Sequence, residues 1–158
     1  MGIAAAVGAM AFFGMSAQDN YQLAANAQAE LLTGLRSAQT MADSGTGGQA
    51  IVTAVFPASG HSYTVAGRTV SLPGSVTVAN SLGQAVTACF VNANVAFYDA
   101  TYHCGGCGQG SGFGFVCRAD NTAAAPAGGL VLTVSAGTVS RKVTLEGLGL
   151  YVSRVYAD

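Results

Sequence analysis

The chain opens on a block with no polar contrast. Residues Met1 to Met15, MGIAAAVGAMAFFGM, carry no charge and no strongly polar side chain, and the first charge is Asp19. A helix apolar all round is a buried or membrane-type helix. The block is shorter than the roughly 20 apolar residues that cross about 30 Å of hydrocarbon. It also lacks the basic n-region of a signal peptide. It reads as the downstream part of a longer hydrophobic helix. From Ser16 to Ser44 the pattern becomes one-sided. Ala24, Ala27, Leu31, Leu35, Ala38 and Ala42 step by three or four residues and share one helical face, while Leu23, Glu30 and Arg36 fall off it. No proline interrupts the two blocks, and Gly45, with Gly47 and Gly48 behind it, supplies a C-terminal stop. The spacing predicts one continuous helix.

After Gly48 the period changes. Short Val, Ile, Thr, Phe and Tyr runs alternate with Gly, Asn, Ser and Pro, the pattern of antiparallel strands. Strands are predicted over Ala50 to Phe56, Ser62 to Val65, Thr69 to Leu72, Ser75 to Val78, Ala85 to Val91, Val95 to Tyr98, Gly112 to Cys117, Leu130 to Ser135, Ser140 to Leu145 and Leu150 to Val155. In SVTVAN, Val76 and Val78 share a face. Asn92-Ala93-Asn94 and Ser135-Ala136-Gly137 read as hairpin turns, and Asn121 to Gly129 as a loop. The chain divides into a helix over 1–45 and a β-rich head over 46–158.

Composition narrows the function classes. Only 8% of the 158 residues are charged, against about 25% in an average soluble domain, and 51% are hydrophobic. The net charge is −1, and the six Lys and Arg are scattered, with only Arg141 and Lys142 adjacent. A nucleic-acid partner needs clustered cations, so none is expected. A weakly charged coat of Ser, Thr, Asn, Gln, Gly and Ala tolerates close packing between subunits, and equally suits a secreted protein.

Cys89, Cys104, Cys107 and Cys117 fall in one stretch, which fits two disulfides outside the cytosol or one zinc site within it. Cys104-Gly-Gly-Cys107 sits among glycines with no helix after it, unlike a redox C-x-x-C. Zinc would use four thiolates, or His103 for one of them, but a second C-x-x-C is missing. Disulfides stapling the glycine-rich loop are favoured, with three connectivities possible and Cys89 leaning to Cys117 or Cys104. His61 and His103 stand apart, nothing brings Asp99 to Glu146, and the glycines precede no Lys-Ser/Thr of a P-loop. No catalytic residue, metal or cofactor is expected. Tyr98, Tyr102, Phe113 and Phe115 make the cysteine loop a candidate contact surface.

The order of these features resembles the type IV pilins and pseudopilins. The stretch AANAQAELLTGLRSAQTMADSG is similar to the helix of minor pseudopilins of the GspH/FimT type, its pattern carried by Leu31, Leu35, Arg36, Ala38 and Ala42. VSLPGSVTV, residues Val70 to Val78, resembles a strand turn of that group, and KVTLEGLGLYV its last hairpin. The family's cleaved leader and the Glu near its mature start are not in this sequence. The resemblance places Met1 inside the mature helix, which implies a fragment or a misassigned start.

The resemblance implies an α+β, pilin-like fold: a long N-terminal α-helix packed on an antiparallel β-sheet head. It implies a non-enzymatic structural subunit of a type IV pilus or type II secretion pseudopilus, in company with other pilin or pseudopilin subunits. The helix would sit in the bacterial inner membrane before assembly, with the head outside the cytoplasm. Ile3, Val7, Met10, Phe12 and Phe13 would form the assembly surface, and Leu31, Leu35, Ala38 and Ala42 would hold the sheet. The alternatives are a tip adhesin using the cysteine loop and an unrelated zinc-binding extracellular β domain.

Overall fold

The computed structural model describes the backbone of residues 3–45, 51–91, 116–118, 129–147 and 152–158, and the side chains of all of these except 3–16 and 116–118. One helix, α1, runs without a break over Ile3–Ser44, 42 residues, or about 63 Å at 1.5 Å per residue. Gly45 ends it in the left-handed conformation, φ +59°, with its N–H donating to the Ala42 carbonyl at 3.2 Å. Ten strands follow among the described residues: β1 (Ile51–Phe56), β2 (Ser59–Gly60), β3 (Ser62–Val65), β4 (Arg68–Ser71), β5 (Val76–Asn80), β6 (Val86–Val91), β7 (Val116–Arg118), β8 (Leu130–Ala136), β9 (Val139–Gly147) and β10 (Val152–Ala157).

The expected α+β, pilin-like fold, a long N-terminal helix packed on an antiparallel β-sheet head, is not what the chain adopts. The described strands form two five-stranded antiparallel sheets, ordered β4-β3-β1-β6-β7 and β10-β9-β8-β5-β2, so the molecule is mostly β with α1 as its one described helix. A helix lying on antiparallel strands is the part of that expectation that fits. The physical reason is that alternation fixes which face a residue takes, and says nothing of which strands pair. The partition is made by long-range ladders such as Val52↔Phe90 and Val78↔Val134.

Both sheets and the helix close on one core. The stripe Ala24, Ala27, Leu31, Leu35, Ala38 and Ala42 is buried against Val52, Ala54 and Phe56 of β1, Phe90 of β6, and the inward residues of β8, β9 and β10. The strands alternate as their sequences dictate: Val76 and Val78 of β5 and Leu130, Leu132, Val134 and Ala136 of β8 all point inward. Polar side chains tie α1 to the second sheet. Gln28 donates to the Lys142 carbonyl at 2.7 Å, and Gln39 donates to the Ser153 carbonyl at 3.0 Å. The Arg141 guanidinium lies 4.4 Å over the Tyr21 ring.

Strand bounds shift by a residue or two from those predicted, and the two-residue β2 has no counterpart in the prediction. The predicted turn at Ser135-Ala136-Gly137 is corrected. Ser135 and Ala136 belong to β8, and the turn is Gly137-Thr138, with Gly137 at φ +55°. The predicted strand Val95 to Tyr98, the turn at Asn92 to Asn94 and most of the loop Asn121 to Gly129 lie outside the described residues, and of Gly112 to Cys117 only the end is described.

Candidate functional site

Two features could serve a function: the helix itself and a groove beside its rear half. Where α1 carries the core, every third or fourth residue is buried. Toward its start the pattern changes, because Ala17, Gln18 and Asp19 are all exposed. Three consecutive positions sweep some 200° of helix circumference at about 100° each, so at that point the head covers little of the helix. The nearest head contacts lie just beyond, at Asn20, which packs against Gly137, and at Tyr21, which is 53% exposed despite its arginine partner.

Of the predicted site residues, Leu31, Leu35 and Ala38 are fully buried and Ala42 is nearly so. Burying each leucine contributes about 1.5–3 kcal/mol. Ile3, Val7, Met10, Phe12 and Phe13 lie on the helical backbone of α1, and their side chains are outside the described set. Among the described residues no helix is long and apolar enough to cross a membrane.

Cys89 is disulfide-bonded and fully buried, on the face of β6 opposite Ala88 and Phe90. Cys104, Cys107, His103, Asp99 and the aromatics Tyr98, Tyr102, Phe113 and Phe115 lie outside the described residues, and Cys117 is described only by its place in β7, opposite Thr87. Among the described residues no three His, Cys, Asp or Glu converge on a metal-sized space. His61 is a turn residue whose Nδ1 lies 2.7 Å from the Val76 carbonyl. Glu146 accepts from the Tyr156 hydroxyl at 2.7 Å and lies 3.9 Å from Arg154. That hydrogen bond, then desolvation and the carboxylate charges, push the Tyr156 hydroxyl up from its ordinary pKa.

The groove was not legible in the sequence. It has a volume of about 700 Å³ and lies between α1 and the β3–β4 hairpin. The helix wall mixes small residues such as Gly34 and Ser37 with the larger Glu30 and Met41, and Tyr63, Val65, Arg68 and Val70 make the other wall. A methyl group added at Gly34 would meet nothing within 4 Å. The Tyr63 hydroxyl is buried and has no hydrogen-bond partner, while its ring packs on Phe56 at 5.9 Å between centroids. The only sequence signal for it is a tyrosine at an inward position of a strand, where its O–H ordinarily finds an acceptor.

Burial pushes the Tyr63 hydroxyl up to about 12, and the negative charge of Glu30 adds to the shift. The ordinary value is 10.0, so between pH 10 and 12 the unfolded chain loses this proton and the folded chain keeps it. Stability is therefore full below pH 10 and falls toward pH 12, by on the order of 2 kcal/mol from this residue. Tyr63→Phe is expected to remove this slope in alkaline urea titrations. At pH 7 it should be neutral or stabilising by up to about 1 kcal/mol, because it deletes an unsatisfied donor. An unchanged alkaline slope in the variant would show that Tyr63 is not the titrating group.

Compared with known proteins, the chain matches no family model, no curated protein and no solved structure.

Proposed function

We propose that this chain is a structural, non-enzymatic subunit that assembles with pilin-type subunits through the front half of α1, as a component of a type IV pilus or type II secretion pseudopilus. The observation that carries the reading is the unbroken helix. Its rear half is welded to the head through six buried positions, and its front half continues past the point where Ala17, Gln18 and Asp19 are all exposed. The front half bears Ile3, Val7, Met10, Phe12 and Phe13 on a backbone whose own hydrogen bonds are satisfied within the helix. Such a segment gains most by packing against other apolar helices, either lipid-embedded or in a filament core, because both surroundings bury it without demanding backbone partners. The inner membrane before assembly and a head on its outer side follow from the resemblance to the pilins, as does the choice of filament system.

The test is self-association of the full chain as detergent is removed, read by sedimentation and electron microscopy. Burying a phenylalanine contributes about 1.5–3 kcal/mol, so Phe13→Asp is expected to weaken association at least about tenfold. Amide-exchange protection over residues 24–42 should stay as in the parent. A parent chain that stays monomeric, or a Phe13→Asp variant that assembles like the parent, would refute the reading.

A further inference from the structure

The point where α1 leaves the head is marked by more than the helix. The β8–β9 hairpin reaches it, and the tip of that hairpin, Gly137-Thr138, is exposed and lies against Asn20. A Cβ at Gly137 would stand 2.6 Å from the Asn20 side-chain nitrogen, so tip and helix touch there. One residue on, the Arg141 guanidinium lies over the Tyr21 ring, which stays more than half exposed. Among the described residues, Tyr21 and Val55 are the only large hydrophobic side chains so exposed. Among the same residues Arg141 has no carboxylate partner, the one ion pair being Arg154 with Glu146.

The two segments that meet at this point carry almost no charge. Residues 1–18 have no ionisable side chain, and neither have residues 129–140, which run through β8 and the tip. The first charges beyond them are Asp19 and Arg141, one of each sign. An uncharged surface beside an exposed tyrosine and an unpaired guanidinium suits a boundary between water and lipid. Tyrosine concentrates at that boundary because its ring is apolar and its hydroxyl polar. Arginine there can offer paired N–H groups to a phosphate. A surface that selects an anionic membrane carries a cluster of cations, and this one has none. A zwitterionic headgroup carries both signs, and so answers Asp19 as well as Arg141.

We propose that Tyr21, Arg141 and the Gly137-Thr138 tip form a seat that rests the head on the headgroup layer of a zwitterionic phospholipid membrane, with the Arg141 guanidinium against lipid phosphate. The seat rests on the proposed function above, in which the front half of α1 lies in lipid before it joins other subunits. It sets how far the rod enters: the hairpin tip stops at the headgroups, and Asp19 is the first helix charge outside the hydrocarbon. The rear of α1 then stands clear of the membrane. Thr40, 19 residues behind Tyr21, lies about 28 Å further along the helix axis.

The test uses the full-length chain in phosphatidylcholine vesicles. The chain has no tryptophan, so Tyr21→Trp, Thr138→Trp and Thr40→Trp each introduce a single reporter, at the ring, at the tip and at an exposed rear position of α1. Tryptophan at position 21 keeps a ring under Arg141. All three variants are expected to float with the vesicles. Lipid brominated at its shallow acyl carbons is expected to quench positions 21 and 138 at least about fivefold more than position 40. Arg141→Gln, added to the Thr138→Trp chain, is expected to lower that quenching at least about twofold, and no change would overturn the contact with phosphate. Chains that float while position 21 or 138 is quenched no more than position 40 overturn the seat alone. Chains that do not float overturn it together with the lipid-embedded stage on which it rests. Spectral shifts at 21 and 138 that grow with protein concentration and without quenching by lipid also overturn it, by giving the surface to a second copy of the chain.

Discussion

Gly129→Ala is expected to destabilise the protein by about 3–5 kcal/mol, the largest effect of any single methyl group among the described residues. Gly129 leads into β8, the middle strand of its sheet, at φ +86°. Holding a non-glycine residue there costs on the order of 1–3 kcal/mol. The added Cβ would also stand 2.4 Å from the Leu145 carbonyl oxygen and 3.1 Å from its carbon. That neighbour is backbone, fixed in the ladder that pairs Leu130 with Leu145, so it cannot turn away as a side chain would. Forced overpacking of this kind adds about 1–3 kcal/mol. Gly67→Ala is the matched control. Its φ is also positive, +76°, but a Cβ there meets nothing within 4 Å, so only strain remains, and about 1 kcal/mol is expected. Urea unfolding of the two variants separates the contributions. Equal losses would mean that the close approach to Leu145 is not a feature of the folded protein.

Leu35→Ala is expected to cost about 3 kcal/mol, with Leu31→Ala close behind. Both side chains are fully buried where α1 meets the two sheets, and truncating a buried leucine costs about 2–5 kcal/mol from lost burial plus the cavity left behind. The two residues are one helical turn apart and share neighbours, so the double variant should depart from the sum of the single losses. Arg36→Ala, at the exposed position next to Leu35, should change stability by less than about 0.5 kcal/mol. The contrast between adjacent positions 35 and 36 is what a welded helix face predicts. A Leu35→Ala variant as stable as the parent would mean that α1 does not depend on this contact.

The helix face could be read from sequence because a 3.6-residue period is local. Ala24, Ala27, Leu31, Leu35, Ala38 and Ala42 need only their own spacing to share a side, and among the described side chains of α1 these six are the buried ones. The same holds for Val76 and Val78. The division into two sheets was not legible, since it rests on pairings between distant segments such as β5 with β8 and β1 with β6. Asn80 shows a subtler loss. As the last residue of SVTVAN it resembles a turn residue, yet it continues the inward parity of Val76 and Val78 and is buried. It donates to the carbonyls of Pro57 at 2.6 Å and Gln84 at 2.8 Å, and accepts from the Leu82 N–H at 2.9 Å. Its side chain replaces backbone partners that the chain lacks where it leaves the sheet. The groove could not be read because it is a gap between elements. No residue in it is unusual by itself, and only the placement of α1 against β3 and β4 leaves Tyr63 without an acceptor.

The central claim is that α1 is a single rod whose front half lies ahead of the part that the head holds. It is tested by the distance between spin labels carried on non-canonical side chains at positions 6 and 40, leaving the native cysteines intact, in dilute detergent-dispersed subunits. Thirty-four residues of unbroken helix predict a narrow distribution near ~51 Å, at 1.5 Å per residue. A broad distribution, or one centred well below ~40 Å where the helix would have to break, would contradict the account.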